Sequence, residues 1–134
     1  MFKLSVIALV SVSALVFAGK RERDEMDKTT RPAMKKAEDT FRASCGCPLA
    51  ISADPSLDSV SELSGARFIA DSITREAPKY CVDAASKKAM CQMTTLTLAK
   101  GKPAAFTFKD GHGVATTDGQ QNTTWAMMAK RLDK

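Results

Sequence analysis

Apolar and polar positions alternate along this chain with changing period. Leu4 to Ala18 form an uninterrupted apolar and small stretch, and Gly19 and Lys20 end it. The residues from Lys20 to Thr30 are almost wholly charged and carry no periodicity, which predicts a frayed arm or the exposed start of a helix. Met34, Ala37 and Phe41 then fall at helical spacing, with Thr30 as a possible cap and Pro32 tolerated in the first turn, so a helix is expected over about 31–43. From Cys45 the period changes to two. Cys45, Cys47, Leu49, Ile51 and Ala53 alternate with small or polar residues, which predicts a half-buried strand with both cysteines inward and Pro48 marking an edge or an irregular centre.

Ser59 and Glu62 have the spacing of a capping box, and Val60, Leu63, Ala66, Ala70, Ile73 and Ala77 continue at intervals of three and four. This is the strongest helical signal in the chain; Phe68 and Ile69 are expected to widen its apolar face, and Pro78 to end or kink it near residue 77. Asp83 can cap a short helical piece over about 84–91. Three short alternating strands follow: one through Leu96 and Leu98, one through Phe106 and Phe108, and one from His112 to Thr117. Asp110 and Gly111 between the last two signal a two-residue hairpin. Asn122 or Thr123 can cap a last helix whose apolar face is Trp125, Met128, Ala129 and Leu132. The expected fold is α+β, a mainly antiparallel four-stranded sheet made of one separate strand plus a three-stranded meander. Two or three helices pack on one face, and disulfides staple the whole.

The apolar stretch changes how the rest is read. Lys3, the run Leu4 to Ala18 and the small residues Val16 and Ala18 before Gly19 have the form of a secretory signal peptide, too short for a comfortable membrane span. The expected organisation is a signal peptide at 1–18, a charged flexible arm at 19–30 and a single domain at 31–134. The expected location is the periplasm or the cell exterior. The formal net charge of +5 falls by one with the loss of Lys3, and basic residues alternate with acids, so a nucleic-acid partner is not expected. Leu, Ile, Val and Phe are sparse after residue 18, and a thin core in an exported chain is where covalent staples matter.

The four cysteines, Cys45, Cys47, Cys81 and Cys91, can supply two such staples. A bridge between Cys45 and Cys47 is opposed by strand geometry, so each is expected to reach Cys81 or Cys91, in an order that spacing leaves open. Two rival chemistries use the same residues. Thiolates of Cys45, Cys47 and Cys91 beside the thioethers of Met90 and Met93 would suit Cu(I), four cysteines could hold Zn, and Cys-Gly-Cys could exchange disulfides.

His112 is the single histidine, with only Asp110 close in sequence as an orienting carboxylate. Asp54 with Asp58, or Glu62 with Asp71, could be brought together by the fold. Asn122, Thr123 and Thr124 form a glycosylation sequon that a helix cap explains more simply. Thr95, Thr97, Ala105, Thr107, Ala115 and Thr117 are expected side by side on the outward face of the meander. With His112, the threonines Thr95, Thr97, Thr107 and Thr117 make the candidate binding face. The expected function is an exported, non-catalytic binding or inhibitory module that needs no cofactor, monomeric, directed at an unknown protein or envelope component, with no membrane span once the leader is removed. A small secreted enzyme with an unrecognised site is the further alternative.

Overall fold

The computed structural model describes residues 19–102, 104–117 and 124–133, so the expected signal peptide and the caps Asn122 and Thr123 lie outside the described residues. The elements are α1 (Lys20–Glu25), a π-helical segment (Met26–Thr30), α2 (Arg31–Cys45), β1 (Ala50–Ala53), α3 (Val60–Tyr80), α4 (Ala84–Met90), β2 (Thr95–Lys100), β3 (Ala105–Lys109), β4 (His112–Thr117) and α5 (Thr124–Leu132). The fold is α+β, with one four-stranded sheet and two disulfides.

Of the two expectations for the charged stretch, the structure shows helix. Polar docking allows this where a hydrophobic stripe is lacking. The buried Thr30 hydroxyl donates to the Leu63 carbonyl at 3.1 Å, and the Ser64 hydroxyl donates to the Glu25 carboxylate at 3.0 Å. The π-helical turn lies between these two anchors, with the Arg31 N–H bonded to the Met26 carbonyl five residues back. One wide turn re-phases the helix so that Thr30 faces α3.

The strand expected from Cys45 is shorter than its period suggests. Helix α2 runs through Cys45, and Gly46, at φ 84°, ends it by donating its N–H to the Arg42 carbonyl at 2.9 Å. A left-handed glycine just past a helix satisfies an orphan carbonyl, and that local stop outweighs the alternation of small residues around it. Cys45 is therefore a helix residue and Cys47 a loop residue, and Pro48 precedes β1. In α3 the Ser59 hydroxyl accepts the Glu62 N–H at 3.1 Å as the capping box requires, but Pro78 does not stop the helix, which runs on to Tyr80. The Cys81 N–H still reaches the Ala77 carbonyl at 2.9 Å, so Pro78 forfeits only its own bond in the last turn.

The sheet is mixed and not mainly antiparallel, and the meander is absent. Strand order is β1-β2-β4-β3; β1 runs parallel to β2, β2 parallel to β4, and only β3 and β4 are antiparallel. Helices α3 and α4 carry the chain from the end of β1 back to its starting side, which makes β2 parallel to β1. The hairpin forms as expected, with Asp110 at φ 52° and Gly111 at φ 84°. Its second strand then slots between β2 and β3. The connection from β2 must pass over the end of β4. Gly101 makes that passage, because a Cβ there would lie 2.7 Å from Cβ of Thr116.

Side-chain size favours this order. The inner residues of β4 are Gly113, Ala115 and Thr117, small enough to lie beneath the helices, whereas Phe106 and Phe108 of β3 are bulky and fill the edge, where they stay half-buried. Small Gly65, Ala66, Ala70 and Ala77 on α3 match them from the other layer. The core lies between this inner face and the helices, around Phe41, Ile69, Ile73, Met90, Met93, Leu96, Leu98 and Met128.

Candidate functional site

Alternation places Ile51, Leu96, Leu98, Gly113 and Ala115 under the helices, and turns the next residue of each strand outward. The outer face carries Thr95, Thr97 and Ala99 on β2, His112, Val114 and Thr116 on β4, and Ala105, Thr107 and Lys109 on β3, all half or fully exposed. Helix α2 packs against α3 and β1 and does not cover this face.

The structure brings together Thr95, Thr97, Thr107 and His112 of the expected face and excludes Thr117. Thr117 is fully buried on the opposite side, as is Ala115. His112 and Thr117 stand an odd number of positions apart in one strand, so they cannot share a face. Thr116 is the threonine that belongs there, and counting in twos from His112 was the signal for it. Thr116 Oγ1 accepts the Ala105 N–H at 2.9 Å, tying β4 to the start of β3.

The sharpest feature of the face lies across the β2–β4 register, where Thr95 is directly opposite His112. Thr95 Oγ1 is 2.6 Å from Nδ1 of the His112 ring. Beside it the Thr94 N–H and hydroxyl both reach the Gly111 carbonyl, at 2.8 and 3.2 Å, so the hairpin turn is clamped to the start of β2. On the other side of His112 a shallow depression is lined by Thr107, Phe108, Lys109, Asp110, His112 and Val114. A hydroxyl on an imidazole has the form of a nucleophile and base pair, which a third group would orient. Among the described residues no carboxylate is hydrogen-bonded to the second ring nitrogen, as an orienting group would be. The face is a row of hydroxyl and methyl groups with an imidazole and an ammonium at one corner.

The cysteines lie at the far end of α2. Cys45 is bonded to Cys81 and Cys47 to Cys91, and Sγ of Cys91 lies 3.3 Å from the Cys45 carbonyl oxygen, so the two bridges sit side by side. All four sulfurs are thus engaged, and Met90 and Met93 are fully buried core residues. With both bridges formed, Cys45 and Cys47 are bonded to Cys81 and Cys91 rather than to each other, and thiolate ligands for Cu(I) or Zn would require their reduction.

The carboxylates serve the fold. Glu62 is buried and reaches Lys100 Nζ at 3.1 Å while accepting the Asp58 N–H at 3.1 Å. Burial pushes its carboxyl up, but the Lys100 ammonium and the Asp58 amide together outweigh it and hold the group below its usual range. Asp54 is held low by the Ser56 N–H at 2.8 Å.

Compared with known proteins, the chain matches no protein family, no curated protein and no solved structure. The two bridges fit an oxidising, non-cytoplasmic location, and among the described residues no helix is long and apolar enough to cross a membrane.

Proposed function

We propose that this chain is an exported, disulfide-stapled binding or inhibitory module, without turnover of its own. In this reading it reaches the periplasm or cell exterior after losing residues 1–18, and it acts on a protein or other envelope component. The observation that carries this reading is the outer face, which no helix covers among the described residues, and whose strands present short side chains that lose little conformational freedom when a partner covers them. The bridges hold the helical layer that supports this face, so recognition rests on a rigid scaffold.

A photo-reactive residue placed at Thr97, on the outer face, should give an adduct with one envelope component in the exporting cell. The same residue at Lys36, on the exposed side of α2, should not. Equal labelling from both positions, or none from Thr97, would count against the reading. A folded His112→Ala or Asp110→Asn variant that loses a measurable turnover would replace it with an enzyme.

A further inference from the structure

Each edge of the sheet has a helix alongside it, α2 at β1 and α5 at β3. At the β1 edge the outward N–H of Ile51 is taken by the Glu38 carboxylate at 2.6 Å, and α2 packs alongside. At the β3 edge, Lys109 pairs with His112 across the two-residue turn, so residues 105, 107 and 109 bond inward to β4. Phe106 and Phe108 consequently aim their backbone N–H and C=O groups outward. Helix α5 packs alongside β3, and among the described residues its exposed Arg131 alone hydrogen-bonds this row, donating to the Phe108 carbonyl at 3.4 Å with its guanidinium 5.6 Å over the Phe108 ring. The strand has no proline and no bulge, and its one charge is Lys109. Such an edge is a template for another strand.

We infer that β3 pairs with β3 of a second copy of this chain, antiparallel and centred on Thr107. The strand is self-complementary in that register. Phe106 faces Phe108 of the second copy and exchanges both N–H and C=O bonds with it, and the reverse pair does the same. Lys109 falls opposite Ala105 of the second copy, so no like charges meet, and the half-buried phenyl rings cover each other on the helix side. A registry centred on Phe106 or Phe108 would pair fewer residues of the five in β3. Arg131 swings off the Phe108 carbonyl, giving up one long, solvent-exposed bond and its place over the Phe108 ring for the ladder.

The two-fold axis is perpendicular to the sheet, so the pair is isologous and its two outer faces join into one, with a Thr95 and His112 pair on each half. The contact is strand-sized, below the roughly 1,200 Å² of stable complexes, so association should depend on concentration. This departs from the monomer expected from the sequence, because a meander would have buried β3 in the sheet. It holds or fails independently of what the outer face binds.

Sedimentation of the oxidised exported protein from micromolar to millimolar concentration should show mass rising from one protomer to two. Thr107→Lys, an exposed outer-face change that puts like charges directly opposite each other, should leave a monomer with unchanged thermal unfolding. The central Thr107 pair is a non-hydrogen-bonded one with Cα atoms about 4.5 Å apart, within disulfide range. Thr107→Cys should therefore cross-link two chains while Ser52→Cys on β1 does not, with peptide mapping confirming both native bridges. A monomer at every concentration, a dimer that Thr107→Lys leaves intact, or equal cross-linking at Ser52 would overturn the inference.

Discussion

The carboxylate of Glu38, midway along α2, accepts the backbone N–H of Ile51 at 2.6 Å. A helix thereby supplies an acceptor to the outward row of a sheet edge. Replacing Glu38 by Ala would leave a donor stranded beside the buried Ile51, at a cost of about 1–3 kcal/mol. Glu38→Gln keeps an acceptor and should cost clearly less. Urea unfolding of the two variants checks this, and equal losses would show that the bond contributes nothing.

Thr30 is the buried anchor of the charged N-terminal helix. Thr30→Val keeps the shape and removes the bond to the Leu63 carbonyl, for an expected loss of about 0.5–1.5 kcal/mol. Amide exchange over residues 20–30 should speed up more than exchange in α3. Uniform acceleration would mean that the arm is not held at this point.

The intact mass of the exported protein should lie two pairs of hydrogen atoms below its fully reduced value. Peptide mapping should return Cys45 with Cys81 and Cys47 with Cys91. Cys47 and Cys91 are half-buried while Cys45 and Cys81 are 2% and 5% exposed, so mild reduction should open the Cys47 bridge first. Cys81→Ser should leave Cys45 alkylatable after unfolding and cost about 2–5 kcal/mol. Bridges of the opposite order, or free thiols with bound Zn or Cu, would replace the staple by another chemistry.

The Glu62 and Lys100 pair gives stability a definite pH dependence. Glu62 sits below 4.5 in the folded chain, so its contribution is complete above that value and is lost as the pH falls through the folded pKa. Lys100 is raised above 10.5, chiefly by its bond to the Glu62 carboxylate, so its contribution is complete below 10.5 and is lost as the pH rises through the folded pKa. The stability gap between wild type and Lys100→Met should therefore narrow on acidification and again at high pH. A gap that stays constant across both windows would show the pair to be neutral.

The local signals in this chain were reliable where one short segment contained the whole cause. The Ser59 and Glu62 cap, the Asp83 cap and the Asp110 and Gly111 turn are each settled by neighbouring residues and are present as read, and so is the face of α3 except for Phe68, which is exposed. The alternation from Cys45 misled because small residues satisfy a strand period and a helix end equally, and the left-handed Gly46 decided for the helix. The pairing of strand-side with bend-side cysteines was anticipated on a mistaken local structure, since what aligns them is the meeting of three helix ends.

By itself the sequence determined most of the segments that become helix or strand, apart from the residues around Cys45, that cysteines near residue 46 reach those after α3, and that the threonine-bearing strands keep one face of short side chains. Tertiary structure decided the rest. Strand order depends on which inner faces fit under α3, so small Gly113 and Ala115 took the centre and Phe106 and Phe108 the edge. That choice set Thr95 against His112, turned Thr116 outward, buried Thr117 and left β3 at the margin. These outcomes rest on volumes compared between segments far apart in the chain, which no local period contains.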